Sequence, residues 1–98
     1  MNIIKKQEEN TLTVALEGRL DTMTSPMLEG ELRTSVNGIT TLIFDFTALD
    51  YVSSAGLRVL LSAQKVMNKQ GRMVIRNVKP EIMEIFEVTG FVDFLEIE

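Results

Sequence analysis

Between residues 40 and 78 the chain reads TTLIFDF, later SAGLRVLLSAQKVMNKQ closed by Gly71, and then RMVIRNV. A strand pattern, a helix pattern and a second strand pattern in that order limit the fold more than any other feature. Strands joined through a helical crossover lie parallel and the connection is right-handed, so residues 41–46 and 72–77 are expected side by side in one sheet. The first of these is nearly continuously apolar, with β-branched and aromatic residues, as befits a central strand. The helix between them, residues 54–70, carries Leu57, Leu60, Leu61, Gln64 and Met67 on one stripe, with Val59, Ala63 and Val66 beside it. So wide an apolar arc belongs to a core helix, and Gly71 reads as its terminator.

The flanking segments extend this unit. In TLTVALEG, residues 11–18, Leu12, Val14 and Leu16 alternate with polar or small residues, the period of a half-buried strand. The preceding IIKKQEE is a weaker strand, and the Glu9–Asn10 step suits a hairpin, so this opening pair is antiparallel. TSPMLEGELRTSVNG is a helix with Thr24 or Ser25 as cap, Pro26 in the first turn, Leu28, Leu32 and Val36 facing inward and Asn37–Gly38 as the stop. Pro80 opens a short helix with Ile82, Ile85 and Phe86 inward, ending at Thr89–Gly90, and FVDFLEIE supplies a last short strand. The expected class is α/β, a small mixed β-sheet with helices packed mainly on one face, in one domain spanning residues 1–98.

Composition removes several functional classes. With no cysteine and no histidine among 98 residues, disulfides, thiolate chemistry and zinc sites are excluded, and no metal or cofactor is expected. The net charge of −4, with ten scattered basic residues, argues against nucleic acid as a partner. After Lys79 come Glu81, Glu84, Glu87, Asp93, Glu96 and Glu98 with no base, which reads as a solvated acidic face. No apolar stretch approaches the roughly 20 residues needed to cross a bilayer, and MNIIKKQEEN has the wrong order for a secretory leader, so a cytoplasmic protein without membrane insertion is expected.

One stretch remains to be explained, DYVSSAGLR at residues 50–58. It lies between the central strand and the core helix, at the carboxyl edge of the sheet where ligands and chemistry collect in α/β proteins. A serine nucleophile needs a base, usually histidine, and none exists here; the turn is also not G-x-S-x-G. The phosphate-cradling glycine patterns are absent as well. Ser53 and Ser54 therefore stand as helix caps, with Gly56 allowing close packing, or as acceptors of a phosphoryl group from another enzyme. A phosphoserine there would meet open backbone N–H groups and the positive end of a helix dipole, with Arg58 one turn away as an ionic partner for it or for a docking protein. Asp21, in GRLDTMTSP, and Asp50 would sit close to the new charge, so phosphorylation would reject an acidic or apolar partner surface. Taken separately, each aspartate is also an ordinary turn-forming residue.

GRLDTMTSPML, LIFDFTALDYVSSAGLRVLL and GRMVIRNVKPEIMEIFEVTGFVDFLEI, in this order and spacing, resemble the STAS domain of bacterial anti-sigma factor antagonists. The resemblance covers almost the whole chain. It implies the same small mixed sheet and a partner-switching protein that is not an enzyme. Unphosphorylated, such a protein binds an anti-sigma factor that is also a serine kinase; phosphorylated, it lets go until a PP2C-type phosphatase restores it. Aligning on Gly56 makes Ser54 the acceptor, with Ser53 the runner-up at a position often held by aspartate, and matches Asp21 to an aspartate beside the acceptor. Asp21, Asp50, Ser53, Ser54, Gly56 and Arg58 are the residues the resemblance and the turn together nominate for partner binding. A non-phosphorylated STAS interaction module of a transport or sensory complex is the competing expectation, and a nucleotide-binding STAS module ranks last.

Overall fold

The computed structural model describes residues 1–98, and its elements follow the order β1 (Asn2–Glu8), β2 (Thr11–Leu20), α1 (Ser25–Ser35), β3 (Thr41–Val52), α2 (Ser54–Gln70), β4 (Arg72–Arg76) and α3 (Pro80–Thr89), then a 3-10 turn at Phe91–Asp93. The four strands lie in sequence order in one sheet. β1 and β2 are antiparallel through a two-residue turn in which Glu9 takes the left-handed φ of 55°. β2 with β3, and β3 with β4, are parallel, as the crossover argument requires. Leu12, Val14 and Leu16 of β2, Leu42, Phe44 and Phe46 of β3, and Met73 and Ile75 of β4 form one buried cluster with Leu28 and Leu32 of α1, Leu57, Leu60 and Met67 of α2, and Ile82 and Phe86 of α3. All three helices contribute to that cluster, while strand residues of the other parity, such as Thr11, Thr13, Thr41 and Ile43, are only half-buried. The helices thus cover one face of the sheet.

Several expectations are corrected in detail. β3 does not end at residue 46 but runs to Val52. Its register against β2 steps twice, from Ala15↔Asp45 to Glu17↔Ala48 and from Gly18↔Leu49 to Arg19↔Tyr51, so β3 holds an extra residue at each step. Bulges of this kind break the two-residue alternation, and Phe46, Leu49 and Val52 point inward at a spacing of three. Asp45 secures the first bulge: its Oδ1 accepts from the Thr47 hydroxyl at 2.6 Å, the Thr47 N–H at 3.0 Å and Asn77 Nδ2 at 3.0 Å. The Thr47 hydroxyl, then Asn77, hold this carboxyl below its ordinary range.

The last strand is likewise replaced, by the 3-10 turn and a single bridge, Ile75↔Ile97. Gly90 enters that turn at a left-handed φ of 79°, and Phe91 packs edge-on against Phe94 at 6.4 Å, a spacing of three that an extended strand does not produce. Glu96 and Glu98 do not belong to a freely solvated face, because Glu96 pairs with Arg72 and Glu98 with Arg76 and Arg72. In α2, Gln64 is buried while Val66 is 42% exposed, so the apolar arc is narrower than the sequence suggests. Gly71 does end α2, but with an extended φ of 169°; the demand is for space, since a Cβ there would lie 1.8 Å from the Thr40 carbonyl oxygen.

Candidate functional site

At the carboxyl end of the sheet, the β2–α1 corner and the β3–α2 turn are tied together. Leu20 pairs with Val52, and the next N–H along β3, that of Ser53, donates to the Leu20 carbonyl at 2.8 Å. Gly56, in the first turn of α2, completes the junction. A Cβ there would lie 2.8 Å from Leu20 Cγ and 2.9 Å from its carbonyl oxygen. Only glycine lets the start of α2 come down onto the end of β2 this closely. The chain passes directly from that leucine to Asp21.

The two serines occupy different environments. Ser53 is the N-cap, with extended backbone (φ −88°, ψ 175°) and an Oγ that accepts from the Gly56 N–H at 3.3 Å. Its carbonyl accepts from the Leu57 N–H at 2.9 Å, the first backbone bond of the helix. Ser54 is the first helical residue; it is exposed. At that position the N–H groups of Ser54 and Ala55 precede any intrahelical acceptor and face outward. The expectation that either serine could serve as cap is resolved: Ser53 caps and Ser54 does not.

Asp21 is the pivot of the neighbouring corner. Its Oδ1 accepts from the N–H of Met23 at 3.0 Å and the N–H of Thr24 at 3.1 Å, and its own N–H donates to the Thr24 hydroxyl oxygen at 2.9 Å. Its carbonyl accepts from the Ser25 N–H at 2.8 Å and the Ser25 hydroxyl at 2.5 Å. Thr24 stands at the N-cap of α1, but its hydroxyl donates to the Arg19 carbonyl at 2.7 Å and makes no cap bond; the Asp21 carboxylate satisfies the corner instead. The Thr24 N–H, aided by Met23 and by Arg19 at 3.8 Å, holds the Asp21 carboxyl below its ordinary range, so it is ionised at neutral pH. Its turn-forming role is therefore a finding, and it leaves Oδ2 facing outward beside Arg19.

The structure does not draw every nominated residue into one cluster. Asp50 lies within β3, not in a loop, and its carboxylate accepts from Lys79 Nζ at 2.7 Å, which ties it to the start of α3. Arg58 is exposed and has no ionic partner; with Ala55 it lines an open groove of about 590 Å³ whose other wall is Thr22, Pro26 and Arg33. One feature was not read from the sequence: the Arg19 guanidinium stacks over the Tyr51 ring at 4.4 Å, across the β2–β3 pairing. Only the bulged register brings these two residues opposite each other, and that register carries no motif. No helix is long and apolar enough to cross a membrane, and no group of three or more acidic, histidine or cysteine side chains is arranged to hold a metal ion.

The sheet order and the serine-capped helix start at its carboxyl edge agree with the STAS resemblance, and the family model of the STAS domain matches residues 2–98. The chain belongs to that family. It is 34% identical over 99% of its length, and 85% of the relative's, to BtrV of Bordetella bronchiseptica, named as a candidate anti-sigma factor antagonist. It is 28% identical to the anti-sigma-B factor antagonist of Bacillus subtilis, over 99% of this chain and 90% of that one. Among solved structures, the anti-sigma factor antagonist SpoIIAA in its unphosphorylated form superposes with a TM-score of 0.85, at 20% identity, covering 99% of this chain and 88% of that one. The phosphorylated form of SpoIIAA superposes with a TM-score of 0.78 at the same identity, covering 99% and 91%.

Proposed function

We propose that this chain is an anti-sigma factor antagonist of the cytoplasm whose partner binding is switched off by phosphorylation of Ser54. The observation that carries the reading is the division between the serines. The hydroxyl of Ser54 is exposed and outside the cap, while Ser53 holds the helix start. A kinase can reach the former without undoing the latter. The activity assigned to this chain is binding; the chemistry of adding and removing the phosphoryl group belongs to an anti-sigma factor kinase and a PP2C-type phosphatase.

The local physics accounts for a switch without refolding. A phosphate on Ser54 adds about −1.5 to −2 charge at neutral pH. That charge meets the open N–H groups of the first turn and the positive end of the α2 dipole, which accept it without rearrangement. The partner meets something different: a doubly charged group beside the ionised Asp21 corner, on a surface that it must desolvate in order to dock.

Affinity capture from lysate with the wild type, Ser54→Ala and Ser54→Asp tests this, with captured proteins identified by mass spectrometry. Capture of a serine kinase of the anti-sigma type by the first two and not the third is the expected result. Equal capture by all three overturns the switch, and capture of transport or scaffold proteins independent of residue 54 supports an interaction module instead.

A further inference from the structure

The basic residues of this chain fall into two groups. Seven of the ten are each paired with a carboxylate. The other three, Arg58, Lys65 and Lys69, are exposed and have no ionic partner, and all belong to α2, which holds no acidic residue. Arg58, Ser62, Lys65 and Lys69 follow one another at steps of four, three and four residues, so they form one stripe along the helix. Ser54 stands four residues before Arg58 and heads the same stripe. In a chain of net charge −4, one helix therefore presents a row of three uncompensated cations. Arg58 and Ser62 also line the groove between α1 and α2, which a second opening of about 370 Å³ continues toward Val36 and Gln70. Val59 and Ala63 lie buried along it, and Val66 is 42% exposed on its wall. The one carboxylate lining the groove, that of Glu29, is tied to Arg33 at 2.7 Å. Gly30 faces it from α1, and a Cβ there would meet nothing within 4 Å, so no neighbour inside the molecule requires a glycine in mid-helix.

We propose that this groove and its basic stripe take an acidic amphipathic helix of the anti-sigma factor, its apolar side over Val59, Ala63 and Val66 and its carboxylates along Arg58, Lys65 and Lys69. Charge complementarity selects the occupant. A helix bearing bases would set like charges against the row, whereas one bearing carboxylates neutralises it and is steered toward it. The absent side chain at Gly30 leaves room for the incoming helix to come close to α1. A flat anionic bilayer fits less well, because it cannot enter a groove and meets the net negative charge of the rest of the molecule. This inference rests on the functional reading above and adds how the partner is made to leave. A phosphate on Ser54 stands one turn before Arg58 on the same stripe, and its charge of about −1.5 to −2 offsets about half or more of the positive row. The modified serine thus competes, from within the chain, for the cations that the partner's carboxylates use.

The test is fluorescence anisotropy with a labelled synthetic peptide of about 18 residues, long enough to form a helix, with Glu along one face and Leu along the other. A counterpart with Lys in place of Glu is measured beside it. The full chain is expected to bind the acidic peptide about tenfold or more tightly than the basic one, and less well as salt rises. Lys65→Ala with Lys69→Ala is expected to weaken binding about tenfold and Ser54→Asp about threefold or more, while Lys6→Ala, on β1, leaves it unchanged. Gly30→Leu places a side chain in the groove and is expected to abolish binding while the unfolding midpoint holds or rises, since leucine is the better helix former. Equal binding of the two peptides, or undiminished binding by Gly30→Leu, overturns this inference and leaves the Ser54 switch, which capture tests, standing. So does binding to phosphatidylglycerol vesicles in place of the peptide, or salt-dependent self-association of the wild type alone, which would give the groove to a bilayer or to the acidic α3 of a second copy. Capture that yields no anti-sigma factor overturns the functional reading and removes the named partner from this inference, even where the peptide binds.

Discussion

Ser53 and Ser54 are chemically identical and separated by one peptide bond, yet substitution separates them. Ser53→Ala removes the acceptor for the Gly56 N–H and is expected to cost about 0.5–2 kcal/mol of stability. Ser54→Ala removes no such bond and is expected to leave the urea midpoint unchanged. Denaturant titration of both variants decides it; equal losses would mean that the two hydroxyls share the cap. Gly56→Ala presses a methyl group against Leu20 and its carbonyl, which is expected to destabilise by about 1–3 kcal/mol and to disturb the acceptor turn. The same unfolding measurement, with amide shifts at Leu20 and Ser53, tests it. The serine pair and its glycine were legible in the sequence as a helix start and as a family pattern. Which hydroxyl caps was not legible, because two adjacent serines offer the same atoms, and only the backbone path into α2 assigns them.

β3 shows where reading by period stops working. Residues 41–46 announce a strand through Leu42, Phe44 and Phe46, and the structure agrees. The next six residues continue it, but exposed Thr47, Ala48 and Asp50 at the bulges scramble the alternation into something that resembles a loop. The turn before α2 consequently shrinks to a single residue, Ser53, between Val52 and Ser54. Gly71 was read correctly as the end of α2 for a reason the structure replaces: Gly71→Ala drives a methyl group into the backbone of Thr40, a loss expected at about 3 kcal/mol or more, measurable as a failure to give a cooperative unfolding transition near the wild-type midpoint.

The C-terminal segment makes a different prediction. The Arg72 guanidinium holds the Glu96 carboxyl below its ordinary range. The folded chain therefore binds that proton more weakly than the unfolded chain. The ionic clasp is fully present above the ordinary carboxylate range and is lost as the pH falls through the depressed value. The amides of Ile75 and Glu98, which bond across this seam at 2.9 Å, are expected to lose hydrogen-exchange protection over that interval. In Glu96→Gln the protection is expected to be lower at neutral pH and to vary less with acidification; an unchanged profile would show that Arg76 and Glu98 suffice.

The molecule as a whole joins one helix-covered sheet to the small corner where Leu20 meets Ser53 and Gly56. The three helices and the helix-covered face of the sheet share one buried cluster, and no part of that cluster includes Ser54. A negative charge at Ser54 is therefore expected to leave the fold alone: amide spectra of Ser54→Asp should differ from the wild type only around Leu20–Met27 and the first two turns of α2. Shifts spread through β4 or α3 would point to a conformational change. The cap carries one last consequence. Because α2 is fastened by Ser53 and not by Ser54, the proposed phosphate on Ser54 would be written on the surface of a finished structure. Under the proposed switch, each molecule would be marked and erased many times without passing through a weakened state that proteases could exploit. The response of such a circuit would be set by the relative speeds of the proposed kinase and phosphatase, with no drain of folded protein.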